Sequence, residues 1–324
     1  MRICALVCAL AAVVALPLGV RAQAPYPAKP IRFVVPYPAG GATDYVARLI
    51  GERLAKSLGQ PVVIDNKSGA AGAIGVAEVA KAAPDGYTVL ITINDPLVNN
   101  TALFKTLPYD PRKDLAFVAQ ILRSPAVISA GTALGAKSFD EFRKIALPER
   151  KLSYASWGIG GLGHLAGESL NRELKAQMVH VPQRGEGPVV QDLLANTVSV
   201  GLSSVATALP HISAGKIVAL AMMGPERSSA LPNVPTLREL GFSDPLYDSS
   251  VWMAALVPAQ TPAPVVQRLS TEIRAIANSA DVRKLLTERG FEMMVTTPEQ
   301  AQEHYKAEFE LITGRIRALG IEQQ

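Results

Sequence analysis

The strongest constraint on this chain is an alternation of two spacings. Short apolar runs at 31–35, 62–64, 88–92, 117–122, 126–130, 152–155, 178–181, 198–202, 218–222 and 252–257 are separated by longer stretches with helical periodicity. Val46, Leu49, Ile50, Leu54 and Leu58 form one stripe, Val266, Leu269, Ile273 and Ile276 a second, and Tyr305, Phe309, Ile312, Ile316 and Leu319 a third. Runs of this length suit strands, and the stripes suit helices that bury one face on them. Strands alternating with helices predict an α/β protein with mainly parallel sheets. Two seams interrupt the pattern. Around 119–130 two apolar runs nearly touch, and around 243–257 a polar loop feeds another run. Two crossings imply a middle segment inserted into a domain built from both ends. The expected lobes are 23–122 plus 251–324 for the first and 123–250 for the second, joined by a two-crossing hinge.

The first residues read differently. From Ile3 to Val20 the chain is uncharged and almost wholly apolar, with Arg2 before it and small residues after it at Val20-Arg21-Ala22 and Ala22-Gln23-Ala24. This is the pattern of a secretory signal peptide, with cleavage expected after Ala22 because Pro25 disfavours the later site. Pro17 and Gly19 break the run, which argues against an uncleaved anchor. Both cysteines lie within it, so export removes them and leaves no thiol for a disulfide framework or a zinc site. Arg2 and Arg21 leave as well, which lowers an already small formal charge of +4. No basic field remains of the kind a nucleic-acid-binding surface needs.

Three glycine-rich loops each follow a strand-like run and precede a helical stripe. The first is PYPAGGATD at 36–44, in which Gly40 and Gly41 leave backbone N–H groups unobstructed and Thr43 is the expected N-cap. The second is DNKSGAAGAIG at 65–75, and the third is SWGIGGLGH at 156–164. A helix start carries unpaired donors and the positive end of the helix dipole, which suits a carboxylate or phosphate. In an open α/β sheet such loops gather at the carboxyl ends of the strands, so the first two are expected to converge on one ligand. Lys67 reads as a solubilising charge. Asn66 suits either a ligand contact or a turn. Gly158, Gly160 and Gly163 satisfy the dinucleotide spacing, but Pro182, Gln183 and Arg184 follow the next strand where an acidic residue would be wanted. No cofactor and no metal are expected.

Other chemistry is absent from the pattern. There is no G-x-S-x-G, no Walker A loop and no H-E-x-x-H. The histidines at 164, 180, 211 and 304 are scattered, and His164 reads as a residue that orients the third loop. An enzyme is disfavoured. The competing enzymatic reading would use His164 and Asp44 as acid and base in the same cleft.

A set of local motifs then narrows the class. YPAKPIR at 26–32, VVPYPAGGATD at 34–44, GAAG at 69–72, PDGYT at 84–88, LPYDP at 107–111, HLAGE at 164–168 and LPNVPT at 231–236 occur in order along the chain. Together they resemble the substrate-binding proteins of tripartite tricarboxylate transporters, the Bug family. The resemblance implies a periplasmic solute-binding protein with the type II, Venus-flytrap fold, closing on a small organic carboxylate. It implies a membrane transporter of the tripartite tricarboxylate type as partner, or a sensor kinase for an orphan receptor, and a monomeric receptor. Carried onto this chain, the first loop would contribute Tyr37, Ala39, Gly40, Gly41, Thr43 and Asp44, and the second Ser68, Gly69 and Ala70. The opposite lobe would add Ser156, Trp157, Gly158, Gly160 and His164, with Gln183, Arg184 and Gly185 near the rim. The family pattern departs here at Lys67-Ser68, at Gly161, and at Ser203, where relatives commonly carry an aspartate. Loss of that aspartate implies a ligand other than an amino acid. Trp157 is placed either to line the pocket beside a flat carboxylate or to pack under its loop.

Overall fold

A computed structural model describes residues 26–321 and 323, so the expected signal peptide and its cleavage site lie outside the described residues. The first half of the chain runs β1 (Ile31–Val35), α1 (Ala42–Leu58), β2 (Val62–Asn66), α2 (Ala73–Ala80), β3 (Thr88–Ile93), α3 (Asn99–Leu103), α4 (Pro111–Asp114) and β4 (Leu115–Ser124). It continues through β5 (Ala126–Gly131), α5 (Phe139–Ile145), β6 (Ser153–Ser156), α6 (Leu162–Leu174), β7 (Val179–Pro182), α7 (Glu186–Ala195), β8 (Val200–Ser204), α8 (Val205–Ser213) and β9 (Ile217–Met222). The last part holds β10 (Val251–Pro258), α9 (Ala263–Asn278), α10 (Ala280–Thr287), β11 (Glu292–Met293) and α11 (Pro298–Leu319). Each apolar run seen in the sequence becomes one of the strands β1 to β10. The two-residue β11 is too short for periodicity to reveal.

The strands form two sheets, ordered β11-β4-β10-β3-β1-β2 and β7-β6-β8-β5-β9. The first draws strands from both ends of the chain and the second from the middle. Within each, three strands are parallel: β2-β1-β3 in one and β7-β6-β8 in the other. The strands nearest the crossings run the other way. β10 is antiparallel to β3 and β4, and β5 is antiparallel to β8 and β9. The sheets are therefore mixed. The chain passes between them through Pro125 and returns into β10, and strands that shuttle between sheets without a crossover helix must pair antiparallel.

β1 is buried on both faces. Ile31, Phe33 and Val35 pack with Val46, Ile50 and Leu54 of α1, whereas Val34 faces Val76, Val79 and Leu90. The α1 stripe is thus core, and Gly59 ends the helix in a left-handed conformation, φ 66°. A second core covers the outer face of the middle sheet through Val189, Leu193, Val205 and Ala208. The largest core is shared by both lobes. It runs from Leu97 and Leu103 on the α3 side through Leu162, Leu165 and Ala166 of α6 to Tyr305, Ile312 and Ile316 of α11. α11 opens with a capping box between Thr297 and Gln300. It also fastens the lobes by polar contacts, since Arg315 pairs with Asp244 and Arg172 donates to the Leu319 carbonyl, and within the first lobe the Tyr305 hydroxyl donates to the Leu97 carbonyl at 2.9 Å. One edge of the interlobe seam is therefore a continuous apolar core. No helix among the described residues is long and apolar enough to cross a membrane.

Candidate functional site

The carboxyl ends of β1, β2, β3, β6 and β7 face a common cavity of about 1130 Å³, at the upper end of the range typical for small-molecule sites. Its first-lobe wall is Pro36 to Thr43 and Tyr45, then Ser68 to Gly72, then Ile93, Asp95, Asn99 and Asn100. The hinge side adds Ser124, Val251 and Met253, and the loop after α10 adds Arg289 and Phe291. The second-lobe wall is Trp157, Gly158, Ile159 and Gly161, then Gln183 to Pro188, then Ser204, Ala206 and Thr207.

At the first loop the backbone is turned by Gly40, φ 85°, a left-handed conformation that costs a residue with Cβ about 1–2 kcal/mol. α1 then begins after Gly41, which offers no side-chain cap. Thr43, expected as the cap, instead sits inside the first turn and is 6% exposed. The difference has a simple cause: Gly41 already has the extended backbone of a cap position, φ −79° and ψ 175°. Asp44 does not point into the cavity. Its carboxylate accepts from Gly40 N–H at 2.9 Å, Arg48 Nε at 2.9 Å and Asn66 Nδ2 at 3.0 Å. Burial alone would raise this carboxyl, but Arg48, Gly40 and Asn66 outweigh it and hold it below the ordinary carboxylate range. Asn66 also donates to the Tyr37 carbonyl at 3.1 Å, so it organises the turn. The Tyr37 hydroxyl has no hydrogen-bond partner among the described residues, and burial pushes it far above its ordinary range.

The third loop is built on different terms. Gly160, φ 73°, lies so close to Leu103 that a Cβ there would meet Leu103 Cδ1 at 1.8 Å. His164 Nδ1 accepts from Gly160 N–H at 2.9 Å, and the ring stacks on His180 at 4.0 Å between centroids. His180 Nε2 lies 2.8 Å from Ser156 Oγ, which also donates to the Gly158 carbonyl at 3.1 Å. Burial, reinforced by the neighbouring His164, lowers His180 to about 4. At the head of α6 stands a carboxylate from the other lobe. Asp95 accepts from Trp157 Nε1 at 3.0 Å and stands beside the first turn of α6, where a Cβ added to Gly161 would lie 3.0 Å from Asp95 Oδ2. Asn99 Nδ2 donates to the Gly160 carbonyl at 2.7 Å, a second bond across the seam. Burial raises the Asp95 carboxyl to about 6 despite the Trp157 donor.

The structure thus brings Tyr37, Ala39, Gly40, Gly41, Thr43, Ser68, Gly69, Ala70, Trp157, Gly158, Gln183, Arg184 and Gly185 to the cavity wall. Asp44, Ser156, Gly160, His164 and Ser203 lie behind it and shape the loops. Asp44 and His164, the pair the enzymatic reading would need, have their described contacts with loop atoms rather than with the cavity. Ser203 is fully buried in β8, with an Oγ that has no partner among the described residues. Trp157 lines the cavity and also packs under its own loop, against Gly161 and Gly163. Sequence reasoning passed over Tyr45, Asp95, Asn99, Glu186, Ser204, Thr207 and Arg289. A usable signal existed for Asp95, which follows the carboxyl end of β3 as the first two loops follow β1 and β2. Arg289 lies far along the chain and only the fold brings it to Tyr45, over whose ring its guanidinium sits at 3.9 Å.

Two α/β lobes with mixed sheets, two chain crossings and a cavity between strand ends define a solute-binding protein of the periplasmic type. The chain belongs to the family described as the tripartite tricarboxylate transporter family receptor, whose model matches residues 46–320. Protein BugT of Bordetella pertussis is 33% identical over 297 residues, covering 91% of this chain and 90% of BugT. Among solved structures, Rpa4515 of R. palustris with adipate superposes with a TM-score of 0.86 at 32% identity, covering 92% of this chain and 100% of that one. The periplasmic binding protein BugD gives 0.84 at 29% identity over 92% and 100%. MatC from Rhodopseudomonas palustris with bound malate gives 0.75 at 32% identity over 91% and 98%.

Proposed function

We propose that this chain is exported with cleavage after Ala22, works as a monomeric receptor in the periplasm, and captures a small organic carboxylate for a tripartite-tricarboxylate-type membrane transporter. The observation that carries this reading is the open start of α1. It faces a large two-lobe cavity, its N-cap has no side chain, and the nearest carboxylate, Asp44, is turned onto Gly40, Arg48 and Asn66. Unpaired N–H groups at a helix start favour a bound anion. The adipate and malate complexes of the relatives support the same ligand chemistry. The bodies 23–122 plus 251–324 and 123–250 close on the ligand because contacts from both favour the closed state, and closure forms the surface the partner reads. Ligand leaves unaltered, since Asp44 and His164, the acid and base of the enzymatic reading, are spent on holding the loops.

The test is a thermal-shift screen over mono-, di- and tricarboxylates, followed by calorimetry on Gly41→Val. At least one acid should raise the melting temperature by mass action. The variant should lose that acid while its ligand-free melting temperature holds, because a Cβ at Gly41 meets only the Pro38 carbonyl oxygen, at 3.7 Å. A panel with no shift, or a variant that binds as before, counts against the reading.

A further inference from the structure

The second-lobe side of the hinge carries a polar cluster that no carboxylate end explains. Glu186, the first residue of α7, lines the cavity and reaches across to the start of α8. Its carboxylate accepts from Ser204 N–H at 3.0 Å, Ser204 Oγ at 2.5 Å and Thr207 Oγ1 at 2.6 Å. Among the described residues no cation lies within ion-pair distance of it, so its charge is held only by neutral donors. Ser124 completes the cluster from the hinge. It lines the cavity at 2% exposure, yet its Oγ has no partner among the described residues. The backbone brings Ser124 to the strand end that Glu186 caps: β4 leads through Pro125 into β5, Ala126 pairs with Ser204, and Val205 N–H donates to the Pro125 carbonyl at 2.9 Å. A buried hydroxyl left unpaired is costly, about 1–3 kcal/mol, unless something from the cavity completes it. Ile93, Val251 and Met253 supply an apolar wall at the same hinge.

The opposite side has the other sign. The α1 start presents N–H groups, and Arg289, stacked on Tyr45 of its first turn, has no acid partner among the described residues. The wall therefore carries N–H groups and Arg289 beside α1 and a carboxylate, Glu186, at the start of α7, with Arg184 also on the second-lobe wall.

We infer that Glu186 is a specificity-determining residue which, with Ser124, reads a hydrogen-bond donor on the ligand, so that the preferred carboxylate also bears a hydroxyl or a protonated amine. The inference rests on the carboxylate reading and refines it. It supplies from α7 a carboxylate where Ser203 of β8 carries none. A plain dicarboxylate would place its second charge against Glu186 and be disfavoured.

Calorimetry with two matched series tests this: propionate, lactate and alanine, then succinate, malate and aspartate, on the wild-type chain, Glu186→Gln and Ser124→Ala. In the wild type the donor-bearing member of at least one series should bind about tenfold or more tighter than the unsubstituted acid, the scale of one hydrogen bond to a charged group. Glu186→Gln should remove most of that ratio while propionate keeps its affinity, which also shows that the variant is folded, and succinate should bind more tightly than to the wild type. A larger loss for the amino acid than for the hydroxy acid identifies the amine as the donor, and a larger loss for the hydroxy acid identifies the hydroxyl. Ser124→Ala should lower the same ratio by a smaller factor. If the acids bind without regard to the donor, or the ratio survives in Glu186→Gln, this inference is wrong and the carboxylate reading stands. If no acid in either series or in the wider screen binds, both fall together.

Discussion

The first and third glycine-rich loops are written in nearly the same way and end up opposite in character. Both follow a strand, both hand over to a helix through a glycine without a side-chain cap, and both contain a glycine in the left-handed region. At the first, the neighbouring acid Asp44 is drawn back onto Arg48 and Asn66, and the helix start opens on the cavity. At the third, Asp95 from the other lobe stands at the helix start beside Gly161, held by Trp157 Nε1, and Leu103 fills the space beneath Gly160. A helix N-terminus is an anion site in either case. At α6 the anion is part of the protein, and it joins the lobes.

Substitution at the paired glycines should break this comparison most sharply. Gly160→Ala drives a Cβ into Leu103 at a position with φ 73°, and overpacking plus backbone strain should cost about 3 kcal/mol or more. Gly40→Ala, where nothing lies within 4 Å, should cost only the backbone term of about 1–2 kcal/mol. Urea denaturation of both variants gives the difference, and equal losses would mean that the third loop does not lean on α3 as described.

The pH dependence of stability should separate the two titrating groups packed against the third loop, Asp95 and His180. Asp95 is raised to about 6 by burial, so its unfolded form ionises first and its contribution to stability falls as pH rises from about 4 to about 6. His180 is lowered to about 4 by burial and by His164, so the unfolded form takes up a proton first and stability falls as pH drops from about 6.5 to about 4. The two slopes oppose each other across nearly the same window. Asp95→Asn should expose the histidine term as a loss toward acid, and His180→Gln the aspartate term as a gain toward acid. Each is on the order of 2 kcal/mol, the half-buried His180 less than Asp95. Melting temperatures between pH 4 and 7 check it, and a wild-type profile unchanged by either substitution would remove the titration argument.

A smaller effect isolates the bond across the seam. Trp157→Phe keeps most of the ring and loses the indole N–H to Asp95, a bond worth about 1–2 kcal/mol when its acceptor is charged. The loss should shrink below pH 5, where Asp95 is protonated in the folded state. A loss independent of pH would assign the tryptophan to packing alone.

Much of the architecture was legible because burial is periodic. A strand covered on both faces reads as an unbroken apolar run, as β10 does, and a helix with one buried face reads as a stripe, as α1 and α9 do. The direction of β5 and β10 was not legible, since periodicity carries no information about which way a strand runs. The first two loops were found because glycines near a strand end are local signals. Glu186, Ser124 and Arg289 gave none, because a charged residue on a helix or a serine in a strand has the same appearance whether it faces solvent or a cleft.

The sequence by itself determined the order of elements, the α/β class, the position of every glycine-rich turn and the resemblance to a receptor family. These follow from local propensity and from patterns a few residues long. Only the tertiary structure decided which helix start remains open. Asp95 stands 62 positions from Trp157 in the chain, and whether that carboxylate or a ligand meets the head of α6 depends on how two lobes pack. No spacing along a single strand or helix encodes that.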